Sequence, residues 1–171
     1  PIDQPDHAVR AAQTALAMKG ALAAFNRQQA EAGRPVLKVG IGINTGDAVV
    51  GNVGSEKRME YTAIGDNVNL AARLEALTRQ YGAGLLISEA TREAVGNTFL
   101  VRELDSVRVK GKVKPVVIYE VLARTGSEED TPETRRLADA FADGLKYYRA
   151  QAWDEAEEIF SRLTGDPAAA V

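Results

Sequence analysis

The segment VLKVGIGINTGDAVVG, residues 36–51, carries a clear indication of local structure. Between positions 36 and 44, apolar residues alternate with a lysine, two glycines and an asparagine, which predicts a strand with one apolar and one nearly bare face. Gly40 and Gly42 on the bare face indicate close approach of another backbone or a ligand. Residues 44–47 have turn composition and 48–51 are apolar again, so we expect a hairpin whose second strand covers 48–51.

Helices and further strands surround this predicted hairpin in an α+β order. Apolar positions three and four residues apart predict a helix from a start signal at Asp3–Asp6 to about Glu31, and another from Gly65 to about Arg79. Ser88 is placed to cap a short helix that ends at Gly96. The remaining strands are expected at 61–64, 85–87, 107–110 and 116–121, with the last two forming an antiparallel hairpin.

Composition limits the classes of protein that this chain can represent. With 171 residues, 45% apolar and 26% charged, it fits one globular domain or one plus a small appendage. The absence of cysteine excludes a disulfide scaffold and a cysteine nucleophile, and His7 alone cannot build a multi-histidine zinc site. No window approaches about 18 uninterrupted apolar residues. Because the chain starts at Pro1 without a signal-peptide pattern, we expect it to be a piece of a longer polypeptide.

The charges are unevenly distributed along the chain. Residues 1–122 carry 15 Lys and Arg against 13 Asp and Glu, and residues 123–171 carry 6 against 11, for a net charge of −3. A nucleic-acid-binding domain would show a concentrated basic face. We therefore expect no nucleic-acid partner.

The acidic C-terminal part is predicted to contain a linker at 123–132 and a helical hairpin within 133–171, with helices over about 133–150 and 152–163. Part of this hairpin has the spacing of a tetratricopeptide repeat, at Gly144, Tyr147, Ala156, Phe160 and Leu163. The match is partial, because Ala140 and Asp143 occupy positions where that repeat prefers Trp and Leu. A plain helical hairpin is the equally weighted alternative.

The residues with the most specific chemistry lie in YTAIGDNVNLAARLE, residues 61–75. Asn69 and Arg73 are four positions apart and therefore share one helix face. An amide and a guanidinium on one face can orient an oxyanion and neutralise charge that develops on a phosphate. Taken alone, the pair could equally be an ordinary surface pair. The glycines of residues 40–46 do not form a dinucleotide-binding loop, since their spacing is wrong and a strand is expected to follow them.

A longer run of residues resembles the catalytic domain of class III adenylate and guanylate cyclases. The matching positions are Asn44–Gly46, Val49–Asn52, Gly54–Ser55, Arg58, Tyr61–Thr62, Ile64–Asp66 and Val68–Leu74, and the resemblance covers roughly residues 1–122. It implies a ferredoxin-like mixed or antiparallel sheet with helices on one face, truncated at its N-terminal side and followed here by the helical hairpin. His7 then begins a helix and has no ligand role.

The resemblance also implies roles for individual residues. Arg73 matches the arginine that stabilises the transition state at the α-phosphate, and Asn69 the asparagine that positions the ribose and its reacting 3′ oxygen. Lys110 matches the lysine that binds the terminal phosphates.

Three further positions match substrate contacts of the family. Lys57 and Arg58 resemble additional triphosphate contacts. Thr62 occupies the purine-selecting position, where many adenylate cyclases have Asp and one subgroup has Thr. Because a hydroxyl can donate or accept a hydrogen bond, Thr62 should discriminate adenine less sharply than Asp would.

On this resemblance the parent protein is expected to convert ATP to cyclic AMP and pyrophosphate with two Mg²⁺ or Mn²⁺ ions, in composite sites of a head-to-tail homodimer. The metal-binding aspartates and the adenine-reading lysine of the family precede Pro1, so no metal ligand is expected in this chain, which alone should be inactive. The alternatives are a guanylate cyclase and a non-catalytic dimerisation or regulatory module; a peptide-binding role of the tail is a weaker one. We expect a cytoplasmic domain downstream of a sensor domain, in a parent that upstream segments could anchor to a membrane.

Overall fold

The computed structural model describes residues 4–55, 58–108, 115–163 and 165. Its elements, in chain order, are α1 (His7–Glu31), β1 (Ile41–Ile43), β2 (Val49–Ser55), β3 (Arg58–Ile64), α2 (Asp66–Gln80), β4 (Leu85–Ser88), α3 (Glu89–Val95), a 3₁₀ turn (Gly96–Thr98), β5 (Phe99–Val107), β6 (Val116–Arg124), α4 (Pro132–Arg149) and α5 (Trp153–Arg162). Among the described residues, no helix has both the length and the apolarity needed to cross a bilayer.

Within the described residues the strands form two separate sheets. The larger is mixed and has the order β1-β4-β6-β5, with β1 parallel to β4 and the other pairs antiparallel. The smaller is the antiparallel hairpin β2–β3, in which Val49 lies opposite Ile64 and Ser55 opposite Arg58. The mixed α+β class and an antiparallel hairpin that ends in β6 are confirmed. Its first strand is Phe99–Val107, where 107–110 was expected, and residues 109 and 110 lie outside the described residues.

The expected hairpin between residues 36–44 and 48–51 is wrong. β1 pairs with β4, and β2 pairs with β3. The side chain of Asn44 does not close a tight turn, because it accepts a hydrogen bond from Ser88 and donates to the first turn of α2. The segment between β1 and β2 is thus a connection from one sheet to the other.

The strand itself is also shorter than the alternating pattern predicts. Only Ile41–Ile43 is extended and paired, whereas Val36, Leu37 and Val39 are exposed. The backbone N–H and C=O of Leu37 bond to the side-chain amide of Asn26 in α1, at 2.9 and 2.8 Å. A side chain therefore satisfies the polar groups that a neighbouring strand would otherwise satisfy.

The two strand glycines let α2 pack directly on β1. A Cβ atom at Gly40 would lie 1.9 Å from the Thr78 hydroxyl oxygen, and one at Gly42 would lie 2.3 Å from the backbone nitrogen of Glu75. Any larger residue would push the helix away. The prediction that another backbone approaches this face is confirmed.

Both faces of the mixed sheet carry helices, where the resemblance implied one. Alternate residues of β4 point to opposite sides, so Leu86 joins a core with Leu70 and Leu74 of α2, while Leu85 and Ile87 join a second core. That second core includes the alanine face of α1 and the end of α3, through Ala8, Ala12, Ala15 and Val95. The sheet is thereby the middle layer of three.

The predicted helices are present, and their ends follow from local signals. Gly65, at a φ of 142°, precedes α2. Ser88 caps α3 by accepting a hydrogen bond from the Thr91 N–H, and Gly96 at a φ of 54° ends that helix. Thr131 caps α4 in the same way, with Pro132 at the first helical position.

The helical hairpin α4–α5 packs on the sheet. Phe141 and Leu145 belong to the same core as Leu70 and Leu74. Beneath Phe141, Arg102 of β5 forms a buried ion pair with Glu120 of β6, at 2.7 Å, and its guanidinium carbon lies 4.8 Å from the centre of the Phe141 ring. Residues 123 and 124 of the expected linker belong to β6.

Candidate active site

Helix α2 presents Asn69 and Arg73 away from the core. Leu70 follows Asn69 and Leu74 follows Arg73, and both leucines are buried against the sheet. Asn69 is exposed and Arg73 is half-buried. In the part of the chain that the structure describes, neither of the two polar side chains has a hydrogen-bond partner. They are therefore available to a ligand.

The start of α2 is held by the residue that precedes it. The carbonyl of Gly65 accepts hydrogen bonds from the N–H groups of Val68 and Asn69, both at 3.1 Å. Because β3 ends at Ile64 and α2 begins at Asp66, Gly65 alone separates the strand from the helix. The strand that carries Thr62 thus runs directly into the helix that carries Asn69.

Thr62 and Arg58 lie on the same face of the β2–β3 hairpin, since they are four strand positions apart. Thr62 is opposite Gly51, where an added Cβ would meet nothing within 4 Å. Arg58 forms an ion pair with Glu60 at 2.9 Å, but both side chains are largely exposed. Such a pair stabilises little and leaves the guanidinium available to a phosphate.

Lys57 and Lys110 lie outside the described residues. Of the six candidate substrate residues, the structure therefore places four, on two adjoining elements: Arg58 and Thr62 on β3, and Asn69 and Arg73 on α2.

Sequence reasoning missed a polar cluster at the first turn of α2. Ser88 donates to the Oδ1 of Asn44 at 2.6 Å, and the Nδ2 of Asn44 donates to the carbonyl of Asn67 at 3.1 Å. Asn44 had been interpreted as a turn residue, and Asn67 had no role assigned. The sequence shows only two asparagines next to apolar segments. Nothing in the local pattern indicates that their side chains bond to each other.

The described residues contain no evident ligand set for the metal ions that the family resemblance implies. Across residues 4–55, 58–108, 115–163 and 165, no three His, Asp, Glu or Cys side chains cluster so as to hold an ion. His7 is an exposed residue at the start of α1.

A model of the adenylate and guanylate cyclase catalytic domain matches residues 1–123. The chain belongs to this family. The fold agrees, because solved cyclase structures superpose on the mixed sheet with its helices.

Individual relatives include enzymes named for both purines. The terminal-differentiation-specific adenylate cyclase of Dictyostelium discoideum is 41% identical over 132 residues, which are 75% of this chain and 6% of that protein. The guanylyl cyclase Cya2 has a TM-score of 0.65 at 41% identity, over 75% of this chain and 64% of that one. The adenylyl cyclase CyaB of P. aeruginosa has a TM-score of 0.65 at 35% identity, over 72% and 63%. The chain thus spans less than two thirds of each of these relatives.

Proposed function

We propose that the full-length protein containing this chain is an adenylate cyclase. The ribose 3′ oxygen of ATP attacks the α-phosphorus, the bond between the α-phosphorus and the bridging oxygen breaks, and pyrophosphate leaves as the 3′ hydroxyl gives up its proton. The observation that carries the proposal is the pair Asn69 and Arg73, presented side by side on α2 with no competing partner among the described residues.

The two α2 side chains suit the two demands of this reaction. Attack at phosphorus concentrates negative charge on the α-phosphate oxygens, and a guanidinium such as Arg73 can stabilise it by paired charge-assisted hydrogen bonds. The amide of Asn69 can hold the ribose so that its 3′ oxygen lies in line with the leaving group. Positioning and charge stabilisation supply most of the catalysis in phosphoryl transfer.

The remaining candidates would bind the rest of the nucleotide. Arg58, with Lys57 beside it in the sequence, and Lys110 would contact the triphosphate, whose negative charge calls for several cations. Thr62 would contact the purine. The exposure of Arg58 and the open surface above Gly51, opposite Thr62, are compatible with these roles.

The active form would be a head-to-tail homodimer, in which Arg73 of one subunit serves the metal-bound nucleotide of the other. The exposed apolar side chains of the β2–β3 hairpin support a partner surface beside the candidate site. The ions, Mg²⁺ or Mn²⁺, would be held by family aspartates that these 171 residues do not match.

The wider arrangement is part of the same proposal. Residues 1–122 would be the catalytic unit, 123–132 the connection, and 133–171 a hairpin of tetratricopeptide type. In support of the last, Gly144 fits against Phe160, since a Cβ there would lie 2.7 Å from the ring. We propose a cytoplasmic location, with a sensor domain and any membrane anchor upstream.

The test is a side-by-side assay of the full-length protein with ATP and GTP, in Mg²⁺ and in Mn²⁺, with both cyclic nucleotides measured. The Arg73→Ala variant, purified identically, controls for contaminating cyclases. We expect cyclic AMP as the main product, with a smaller preference over GTP than an Asp-containing site would give. Faster turnover of GTP would establish the guanylate cyclase alternative, and no product from either nucleotide would favour a regulatory module.

A further inference from the structure

A chain of three polar side chains ties the first turn of α2 to the end of the sheet. Ser88, at the end of β4, donates its hydroxyl proton to the Oδ1 of Asn44 at 2.6 Å. The Nδ2 of Asn44 donates to the backbone carbonyl of Asn67 at 3.1 Å and to its side-chain oxygen at 3.3 Å. Ser88 is only 2% exposed, so the chain starts from a rigid, buried anchor.

The far end of this chain is closed by the loop before β2. The Nδ2 of Asn67 donates to the carbonyl of Asp47 at 2.9 Å. Gly46 is required for this contact, because a Cβ there would lie 2.4 Å from the same nitrogen. Asn67 is thus held from both sides, by Asn44 and by the loop.

A second set of hydroxyls fixes the loop at the point where Asn44 leaves β1. Thr91, fully buried in α3, donates to the carbonyl of Ile43 at 3.3 Å, and its hydroxyl lies 3.0 Å from that of Thr45. The residues on both sides of Asn44 are therefore restrained, and this restraint helps to fix the orientation of the Asn44 side chain.

The first turn of α2, which carries the candidate Asn69, is attached to this anchor. Asn69 follows Asn67 by two residues, and its own side chain has no supporting hydrogen bond within the described residues. The contact of α2 with Gly40 and Gly42 lies further along the helix, at Ala71, Glu75 and Thr78. The side-chain hydrogen bonds of Asn44 and Asn67 thus hold the first turn of α2, together with the Gly65 carbonyl and the buried Leu70.

We propose that Ser88, Asn44 and Asn67 are positioning residues for the candidate catalytic Asn69. The inference rests on the proposed function, since it assumes that Asn69 takes part in the cyclase reaction and that the rigid turn holds it in place. Misplacement of a reacting group by about 1 Å can cost ~10²-fold in rate, so a loosened turn should lower kcat more than it weakens nucleotide binding.

The first experiment compares Asn44→Ala and Asn44→Asp with a matched control, Asn26→Ala, in the full-length protein. The Asn26 side chain likewise donates one hydrogen bond and accepts another, but it joins α1 to the backbone of Leu37 and has no bond to α2. We expect kcat to fall roughly 10- to 100-fold in both Asn44 variants, with KM changed less than about twofold. Asn44→Asp keeps the acceptor for Ser88 and loses the donor to Asn67. Equal loss of kcat in Asn26→Ala would overturn the proposal.

The second experiment asks whether Asn44 acts through Asn69. In an Asn69→Ala background, Asn44→Ala should lower kcat by less than about twofold, because there is no longer an amide to position. If the two losses simply multiply, Asn44 contributes independently and the proposed relation is wrong.

A third measurement separates this inference from the proposed function. Amide hydrogen exchange should become faster in residues 66–70 of Asn44→Ala and stay unchanged there in Asn26→Ala. Absence of cyclase activity in the unmodified protein would contradict the proposed function, whatever the exchange data show. An active protein whose Asn44→Ala variant exchanges normally in that turn would contradict the positioning role alone.

Discussion

The β2–β3 hairpin and the α4–α5 hairpin use their apolar residues in opposite ways. In β2–β3 every described residue except Gly51 is exposed, and Val49 and Tyr61 retain 68% and 76% of their accessible surface. In α4–α5, which looked from the sequence like an appendage, Phe141 is 3% exposed and Leu145 is 8% exposed. The segment richest in family residues thus projects from the core, and the tail completes the core.

The apolar side chains of the two hairpins contribute differently to the stability of the chain. Burial of Phe141 stabilises this chain itself, because it removes apolar surface from water. The apolar side chains of β2–β3 gain much less of this stabilisation within the described residues, and a monomer seldom keeps such a patch without a partner. Hence substitutions in α4 should act on stability, and those in β3 on association or catalysis.

The largest effect is expected for Phe141→Ala. Removal of a buried phenylalanine typically costs about 3–5 kcal/mol, and here it also removes the ring beneath which the Arg102–Glu120 pair is buried. Urea unfolding of the 171-residue chain measures it. Arg136→Ala, at an exposed position of the same helix, is the control and should cost much less. Similar small costs for both would show that the tail is not part of the core.

Arg73→Ala should mainly lower kcat, by ~10²–10³, with a small change in KM, because the guanidinium stabilises charge that develops in the transition state. Steady-state kinetics of the full-length protein measure this. Arg79→Ala, at the exposed C-terminal end of α2, is the matched control. Unchanged turnover of Arg73→Ala would refute the assignment.

Lys110→Ala should weaken ATP binding instead. Loss of one charge-assisted phosphate contact costs ~1.5–3 kcal/mol, which appears as a raised KM. Lys114→Ala, four positions further along the sequence, should have a smaller effect. If KM is unaltered, Lys110 does not contact the nucleotide.

Tyr81→Phe should lower the free energy of unfolding by about 1 kcal/mol, because the Tyr81 hydroxyl donates a 2.6 Å hydrogen bond to Asp105. Burial and this bond raise the pKa of the Tyr81 hydroxyl above its usual value. The unfolded chain therefore loses this proton first, so the stabilisation is present below about pH 10 and declines as the pH rises further. Unfolding curves on both sides of that pH should show a smaller alkaline loss in Tyr81→Phe than in the unmodified chain.

The smallest effect on stability is expected for Tyr61→Ser. Since its side chain is largely exposed, the free energy of unfolding of the monomer should change by less than about 0.5 kcal/mol. Sedimentation of the full-length protein should instead show weaker self-association. A large loss of monomer stability would mean that the hairpin packs against this chain after all.

Much of the fold could be predicted because helix signals are local. The period of apolar residues in α2 and the capping residues Ser88 and Gly96 all lie within a few positions of the structure that they specify. The roles proposed for Asn69 and Arg73 come from the resemblance to the cyclase family, because their spacing alone also fits an ordinary surface pair. The polar cluster of Ser88, Asn44 and Asn67 was not, since its members are 21 to 44 positions apart and each alone resembles an ordinary turn or cap residue.

The sequence by itself determined where the helices lie, because helical hydrogen bonds depend on near neighbours, and its resemblance to the cyclase family is the basis for proposing which side chains act on a nucleotide. Only the tertiary structure decided the partner of β1. Its hydrogen bonds join Ile41–Ile43 to Leu85–Ile87, and the competing local hairpin fitted the same alternation equally well. The parallel pairing is favoured because Gly40 and Gly42 admit α2 against β1, and that packing is visible only when the distant segments are brought together.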